Sequence, residues 1–206
     1  SLLVRLRRAG FHQFYANRQD YAKYRGAPKL IDFIRCAQKH VRICAYWLGH
    51  GNEAEGIADA LAELVQMPRK LRIELAIIDP TGACVPELAR YLRIEEPELR
   101  LRIRSTLANL YEAWSELSPE CQNRFDIRVY KTIPSASVIM LDPVEPFGRT
   151  QIELKPYQVA RQDSFAFELR GADAPTYKLC VDAWSKLFED SVPLDPSAHL
   201  SKEDLD

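Results

Sequence analysis

The sequence predicts an α/β fold (mixed α+β), with one mixed sheet of about seven strands and helices on both of its faces. Three observations predict it. Largely apolar runs at residues 41–48 and 71–78 and an unbroken one at 138–141 have strand length with little alternation, the pattern of strands buried on both faces. In the first half these runs alternate with segments of helical periodicity, which favours parallel strands joined by helices. In the second half strand-like segments follow one another across short turns, so they pair antiparallel and extend the same sheet.

The elements follow in order. The opening 2–8, Leu-Leu-Val-Arg-Leu-Arg-Arg, reads as the end of a helix, so residues 1–9 are expected to lead in from an upstream domain. Residues 10–16 alternate enough for a first strand, closed by the polar run 17–20. Pro28 suits the first turn of a helix, and Leu30, Ile31, Phe33, Ile34 and Ala37 give it an apolar face. The second strand, 41–48, ends at Gly49-His50-Gly51. Asn52 with Glu55 three residues later then marks a helix start, and Ile57, Ala58, Leu61, Leu64 and Val65 form its stripe. Asp79-Pro80 stops the third strand.

A short helix over 86–94 and a long one over 96–117 come next, the latter with Leu99, Ile103, Leu107, Leu110 and Trp114 on one face. Strands are expected at 125–130, 135–141, 150–154 and 165–169. A closing amphipathic helix runs over 175–189, with Tyr177, Cys180, Val181, Trp184, Leu187 and Phe188 inward. The domain therefore spans 10–191. The Pro-, Ser- and acid-rich stretch 192–206 reads as a flexible acidic tail, fraying from Pro193 on.

Composition narrows the function classes. A chain of 206 residues with 47% hydrophobic and 28% charged residues suits a single globular domain. A net charge of −1 makes a dedicated nucleic-acid surface unlikely, because binding a polyphosphate needs an excess of Lys and Arg. No apolar stretch reaches the roughly 18–20 residues that cross a bilayer. The five cysteines (36, 44, 84, 121 and 180) are odd in number and have neither disulfide-framework nor zinc spacing. Cys36, Cys44 and Cys180 lie in apolar-periodic segments, as buried reduced thiols do, and a cytoplasmic location follows. No pair among His12, His40, His50 and His199 has metal-ligand spacing, and no cofactor motif is present.

The segment richest in information is 134–142, Pro-Ser-Ala-Ser-Val-Ile-Met-Leu-Asp, followed by Gly148-Arg-Thr-Gln-Ile-Glu153. Ser135, Ser137 and Asp142 stand at relative positions zero, two and seven on a strand that Asp142-Pro143 ends. That spacing resembles the His-x-Lys-x4-Asp signature of the phospholipase D/nuclease superfamily, with serine in place of the histidine and the lysine. Gly148, Thr150 and Gln151 fall where that family has a Gly-Ser-x-Asn turn. The resemblance covers about residues 10–190 and is closest to single-motif bacterial members that serve as one module of a regulatory protein.

The resemblance implies a mixed sheet of about seven strands flanked by helices. In active members the histidine attacks phosphorus, the lysine binds phosphate oxygens, and two copies of the motif complete one site. Serine cannot replace that histidine, since a hydroxyl is a poor nucleophile without a neighbouring base and does not shuttle protons near neutral pH. The expected cleft therefore gathers Ser135, Ser137, Asp142, Gln151 and Glu153 for binding.

Further candidates are Arg18, which either delivers a guanidinium to an anion or pairs with Asp20, and His50, in a Gly-flanked loop at the end of an interior strand. Asp79 repeats the Asp-Pro punctuation of Asp142 and either lines a crevice or caps its turn. His50 has an equally plain reading as a solvated turn residue.

The leading expectation is a catalytically inactive, phospholipase D-like module of a larger protein. It would bind a small ligand with a phosphate group, and its partners would be a domain on its N-terminal side and a second copy of itself in a homodimer. The alternatives are a homodimeric phosphodiesterase or nuclease with nonstandard residues, and a structural dimerisation module.

Overall fold

The computed structural model of the protein describes residues 2–15, 30–49, 52–159 and 164–200. Helix α1 (Leu2–Arg8) leads into β1 (Phe11–Tyr15). Then come α2 (Leu30–Arg35), β2 (His40–Ala45), α3 (Asn52–Gln66), β3 (Arg72–Ile78), α4 (Val85–Leu92), α5 (Glu96–Ser115), α6 (Pro119–Gln122) and β4 (Phe125–Tyr130). The second half holds β5 (Ala136–Leu141), β6 (Arg149–Leu154), β7 (Phe165–Arg170), α7 (Pro175–Glu189), β8 (Val192–Pro193) and α8 (Pro196–His199).

The strands form one sheet in the order β1-β7-β6-β5-β2-β3-β4-β8. The β2–β3 and β3–β4 pairs are parallel, joined by helices as the alternating pattern requires. Every other pair is antiparallel. The expected single mixed sheet is therefore observed, with an eighth strand added at its edge.

Each face of the sheet carries its own packing. Against one, Ile57, Leu61 and Leu64 of α3 and Leu99, Ile103 and Leu107 of α5 bury Ile43, Ile73 and Leu75. Against the other, Tyr177 and Val181 of α7 pack on Val138, Met140, Ile152 and Leu169. Burying a side chain of this size contributes about 1.5–3 kcal/mol, so the interleaved helices and strands supply most of the driving force for the fold.

Strand β5 is interior, as expected, but its faces differ. Val138 and Met140 are fully buried while Ser137 and Ile139 are half-buried. Alternate residues of a strand share a face, so the half-covered side is the one that carries the serines.

Two expectations need correction. Residues 192–200 are packed rather than frayed: Leu194 N–H donates to the Ile127 carbonyl at 2.9 Å, β8 pairs with β4, and His199 is buried. Cys36, expected inside, is exposed just past α2 and gives its thiol hydrogen to the Asp32 carbonyl at 3.3 Å. His40 is the first residue of β2, and its Nε2 lies 2.9 Å from Glu74.

Among the described residues no helix is long and apolar enough to cross a membrane.

Candidate functional site

The site is assembled by strand register. Antiparallel pairing sets Ser137 opposite Glu153, Ala136 opposite Leu154 and Ile139 opposite Gln151. Continuing by one position sets Ser135 opposite Lys155. Because alternate residues share a face, Ser135, Ser137, Gln151, Glu153 and Lys155 all stand on one side of the β5–β6 ladder. Ser135 is exposed, Ser137 and Glu153 are half-buried and Gln151 is buried. Four of the expected site residues are thus brought together.

Two elements close over this ladder. Tyr46 and Trp47 follow β2, the strand on the other side of β5. The Tyr46 hydroxyl donates to the Pro134 carbonyl at 2.5 Å, tying the exit of β2 to the entry of β5. Burial, together with the neighbouring Tyr91 and Glu153, holds the Tyr46 phenol well above its ordinary pKa, so it stays a donor.

From the other direction, Lys155 Nζ meets Glu153 Oε1 at 2.9 Å and lies 6.0 and 5.8 Å from the Tyr46 and Trp47 rings. Pro156 cannot extend the β6 ladder, and the chain turns onto α4. There Tyr91 donates to the Lys155 carbonyl at 2.8 Å and accepts, through its own carbonyl, the N–H of Gln158 at 2.9 Å. Arg102 of α5, ion-paired with Glu98, stacks on Trp47 at 5.8 Å.

Asp142 is not part of this cluster. It lies five residues beyond Ser137, about 16 Å along an extended strand, at the far end of β5. Its Oδ1 accepts the N–H groups of Lys39 at 2.7 Å and His40 at 2.8 Å, and its Oδ2 accepts that of Gln38 at 2.9 Å. The aspartate is a clamp on the start of β2. Its left-handed backbone (φ 50°) explains why the strand ends there. Gly148 closes the same turn, since a Cβ there would meet the Tyr177 hydroxyl and come within 2.7 Å of the Asp142 carbonyl.

Asp79 sits at the same end of the sheet as the serines but two strands away, at the exit of β3. Its Oδ1 caps the next turn, accepting the Thr81 N–H at 2.8 Å and the Thr81 hydroxyl at 2.7 Å. Its Oδ2 faces Lys131 Nζ at 4.0 Å and His199 Nε2 at 3.9 Å. Arg18 and His50 lie outside the described residues.

The three described histidines are elsewhere. His12 is on the edge strand β1, His40 is at the opposite end of β2, and His199 is beside Asp79. Burial pushes the Cys44 thiol up to about 12, which removes it as a nucleophile. Among the described residues no cluster of three or more His, Cys, Asp or Glu is placed to hold a metal ion.

The residues missed in the sequence are Tyr46, Trp47, Tyr91 and Lys155. Lys155 was detectable only by pairing the two strands of the 136–154 hairpin.

No protein-family model matches the sequence, and a search of curated proteins gives no match either. Solved structures do match. Nuc from Salmonella typhimurium, a phospholipase D family member, is similar at 11% identity, over 80% of this chain and 87% of its own, with a TM-score of 0.48. Phosphatidylserine synthase from Haemophilus influenzae Rd KW20 is similar at 11% identity over 84% of this chain, with a TM-score of 0.52. The chain shares the fold of that synthase. The chain spans 37% of the synthase's length.

Proposed function

We propose that this phospholipase D-like domain binds a small ligand without cleaving it, as the recognition part of a larger protein. One observation carries the reading: the face over the start of β5 presents the hydroxyls of Ser135 and Ser137 beside a lysine already paired with Glu153. A serine nucleophile needs an adjacent base to take its proton, and each of the three described histidines lies elsewhere. Hydroxyls, a buried amide and an ion pair can instead donate and accept hydrogen bonds around a bound molecule.

Two assays test the reading. Incubation with bis-p-nitrophenyl phosphate and with single-stranded DNA, with and without EDTA, is expected to give no turnover. Hydrolysis that disappears in Ser135→Ala would overturn the proposal in favour of a working phosphodiesterase. A thermal-shift screen against nucleotides, phosphorylated metabolites and amino acids is expected to yield a stabilising ligand, worth roughly 2.7 kcal/mol at 100 times its Kd. A screen without any stabilising compound would overturn it in favour of a structural module.

A further inference from the structure

Strand register gathers distant parts of the chain at the end of the sheet opposite the serines. Leu141, the last residue of β5, pairs with Val41 near the start of β2 and with Arg149 at the start of β6. Val41 pairs with Ile73, and Ile73 with Phe125, so β3 and β4 start there too. Arg149 pairs with Arg170 at the end of β7, and Leu169 with Phe11 at the start of β1.

This end exposes apolar side chains. Helix α1, which leads into β1, buries none of its residues, and Leu2 is 72% exposed. A helical residue turns by about 100° from the one before it, so Leu2, Leu3 and Leu6 share one arc with Arg5 and Arg7 at its margins. In the turn between β5 and β6, Val144 is 79% exposed and Phe147 stands out beside it. Met67 is exposed in the lead-in to β3.

The same end carries cations. Arg5, Arg7 and Arg8 have no acid among them in α1, and Arg69 and Lys70 are exposed next to Met67. Glu145, the exposed turn's own acid, is neutralised by Lys39 at 2.8 Å. Glu116, Glu120 and Asp173 are further acids in the connections at this end, fewer than its cations. The whole chain has a net charge of −1, so the positive excess is local.

Whatever covers this surface must satisfy apolar and cationic groups together. A nucleic acid would pair with the arginines and leave the leucines in water. A second copy on a twofold axis would set these cations against the same cations. A bilayer containing anionic lipids offers acyl chains and phosphates at one boundary. The spread of the features also suits a broad surface. From β1 to β3 there are five strand spacings of about 4.8 Å, or roughly 24 Å.

We propose that this end of the domain docks on an anionic bilayer. Helix α1 and the 143–148 turn enter the interface, and the arginines and lysines beside them meet the phosphate head groups. The contact is peripheral, because among the described residues no helix is long and apolar enough to cross. The serine face, at the other end of the sheet, points away from the lipid. Docking needs nothing from that face, so it stands whether or not a ligand binds there.

Sedimentation of the full chain with vesicles tests the proposal. Phosphatidylcholine vesicles with one quarter phosphatidylglycerol are expected to bind it about tenfold more tightly than phosphatidylcholine alone, and to lose most of that binding at high salt. An interfacial cation is worth about fivefold in affinity, so Arg5→Gln, Arg7→Gln and Arg8→Gln together are expected to weaken binding by about tenfold or more. Leu3→Ser with Phe147→Ser is expected to weaken it by a similar factor. Leu2→Ser with Val144→Ser serves as a second apolar variant, and circular dichroism checks that each variant folds.

Equal binding to the two kinds of vesicle, or no binding to the anionic ones, overturns the proposal. So does binding that none of the variants weakens. Binding lost with the arginines but kept by both apolar variants overturns it in favour of a polyanion surface. A dimer that the apolar variants dissociate overturns it in favour of a second copy.

Discussion

Asp142 offers the sharpest test of how the end of β5 is fixed to the start of β2. Its carboxylate accepts three backbone N–H groups, from Gln38, Lys39 and His40, at 2.7–2.9 Å. Hydrogen bonds to a charged acceptor contribute about 1.5–3 kcal/mol each, but these donors are only partly buried, so water recovers part of the loss. Alanine also lacks the local hydrogen bonding that lets aspartate sit at φ 50°, which adds about 1 kcal/mol.

Asp142→Ala is therefore expected to destabilise the protein by about 3–5 kcal/mol. Asp142→Asn retains an oxygen for Lys39 and His40, tolerates the left-handed backbone and turns a donor toward Gln38, so a loss of about 2 kcal/mol is expected. Urea unfolding followed by circular dichroism reads both, provided the slope is unchanged between variants. An alanine variant within about 1 kcal/mol of wild type, or an asparagine variant worse than alanine, would refute the clamp. So would a variant of full stability that had lost ligand binding, because it would return Asp142 to the site.

Two further outcomes follow from the same turn and the opposite face. Gly148→Ala forces a methyl against the Asp142 carbonyl and the Tyr177 hydroxyl, neither the free end of a flexible chain, and is expected to cost about 3 kcal/mol; a midpoint of thermal denaturation within a degree of wild type would show that the turn can open. Burial would raise the Glu74 carboxyl, but the bond from His40 and the charge of Arg42 outweigh it and bring it from 4.5 down to about 2. A lowered value means that the stabilisation is complete above about pH 4.5 and is lost as pH falls toward 2, an effect of order 3 kcal/mol at most. The stability gap between wild type and Glu74→Gln should therefore shrink between those pH values, and a gap constant with pH would sink the assignment.

Most of the sheet was legible because its strands obey simple burial rules. The runs around Ile43 and Leu75 are largely apolar because helices cover the sheet, Arg42 and Glu74 being paired with each other. What escaped has no periodic signature. Strand β8 is two residues long and exists only because Val192 and Pro193 meet Val129 and Arg128 at the sheet edge. The residues after it carry a composition typical of loose tails. They are nevertheless held by the Leu194 bond to Ile127, by Asp195 capping Ser197 N–H at 2.9 Å, and by a buried His199. Tertiary pairing overrode local preference there.

The site divides along a different line. Ser135 and Ser137 were legible as face-mates because a strand repeats every two residues, and Gln151 and Glu153 followed from folding the next strand back. Asp142 broke that logic twice: an odd separation puts it on the wrong parity, and five residues of extended chain carry it to the opposite end of the sheet. Its carboxylate serves the scaffold, because the three N–H groups it holds belong to the backbone at the start of β2. Lys155 is the converse case. A motif is read along the chain, where position 155 has no relation to 137, whereas the ladder sets Ser137 against Glu153 and hands the lysine to the same face. A positive charge thus reaches the face of Ser137 in space from the next strand. It arrives with a carboxylate attached, so the face carries both signs of charge.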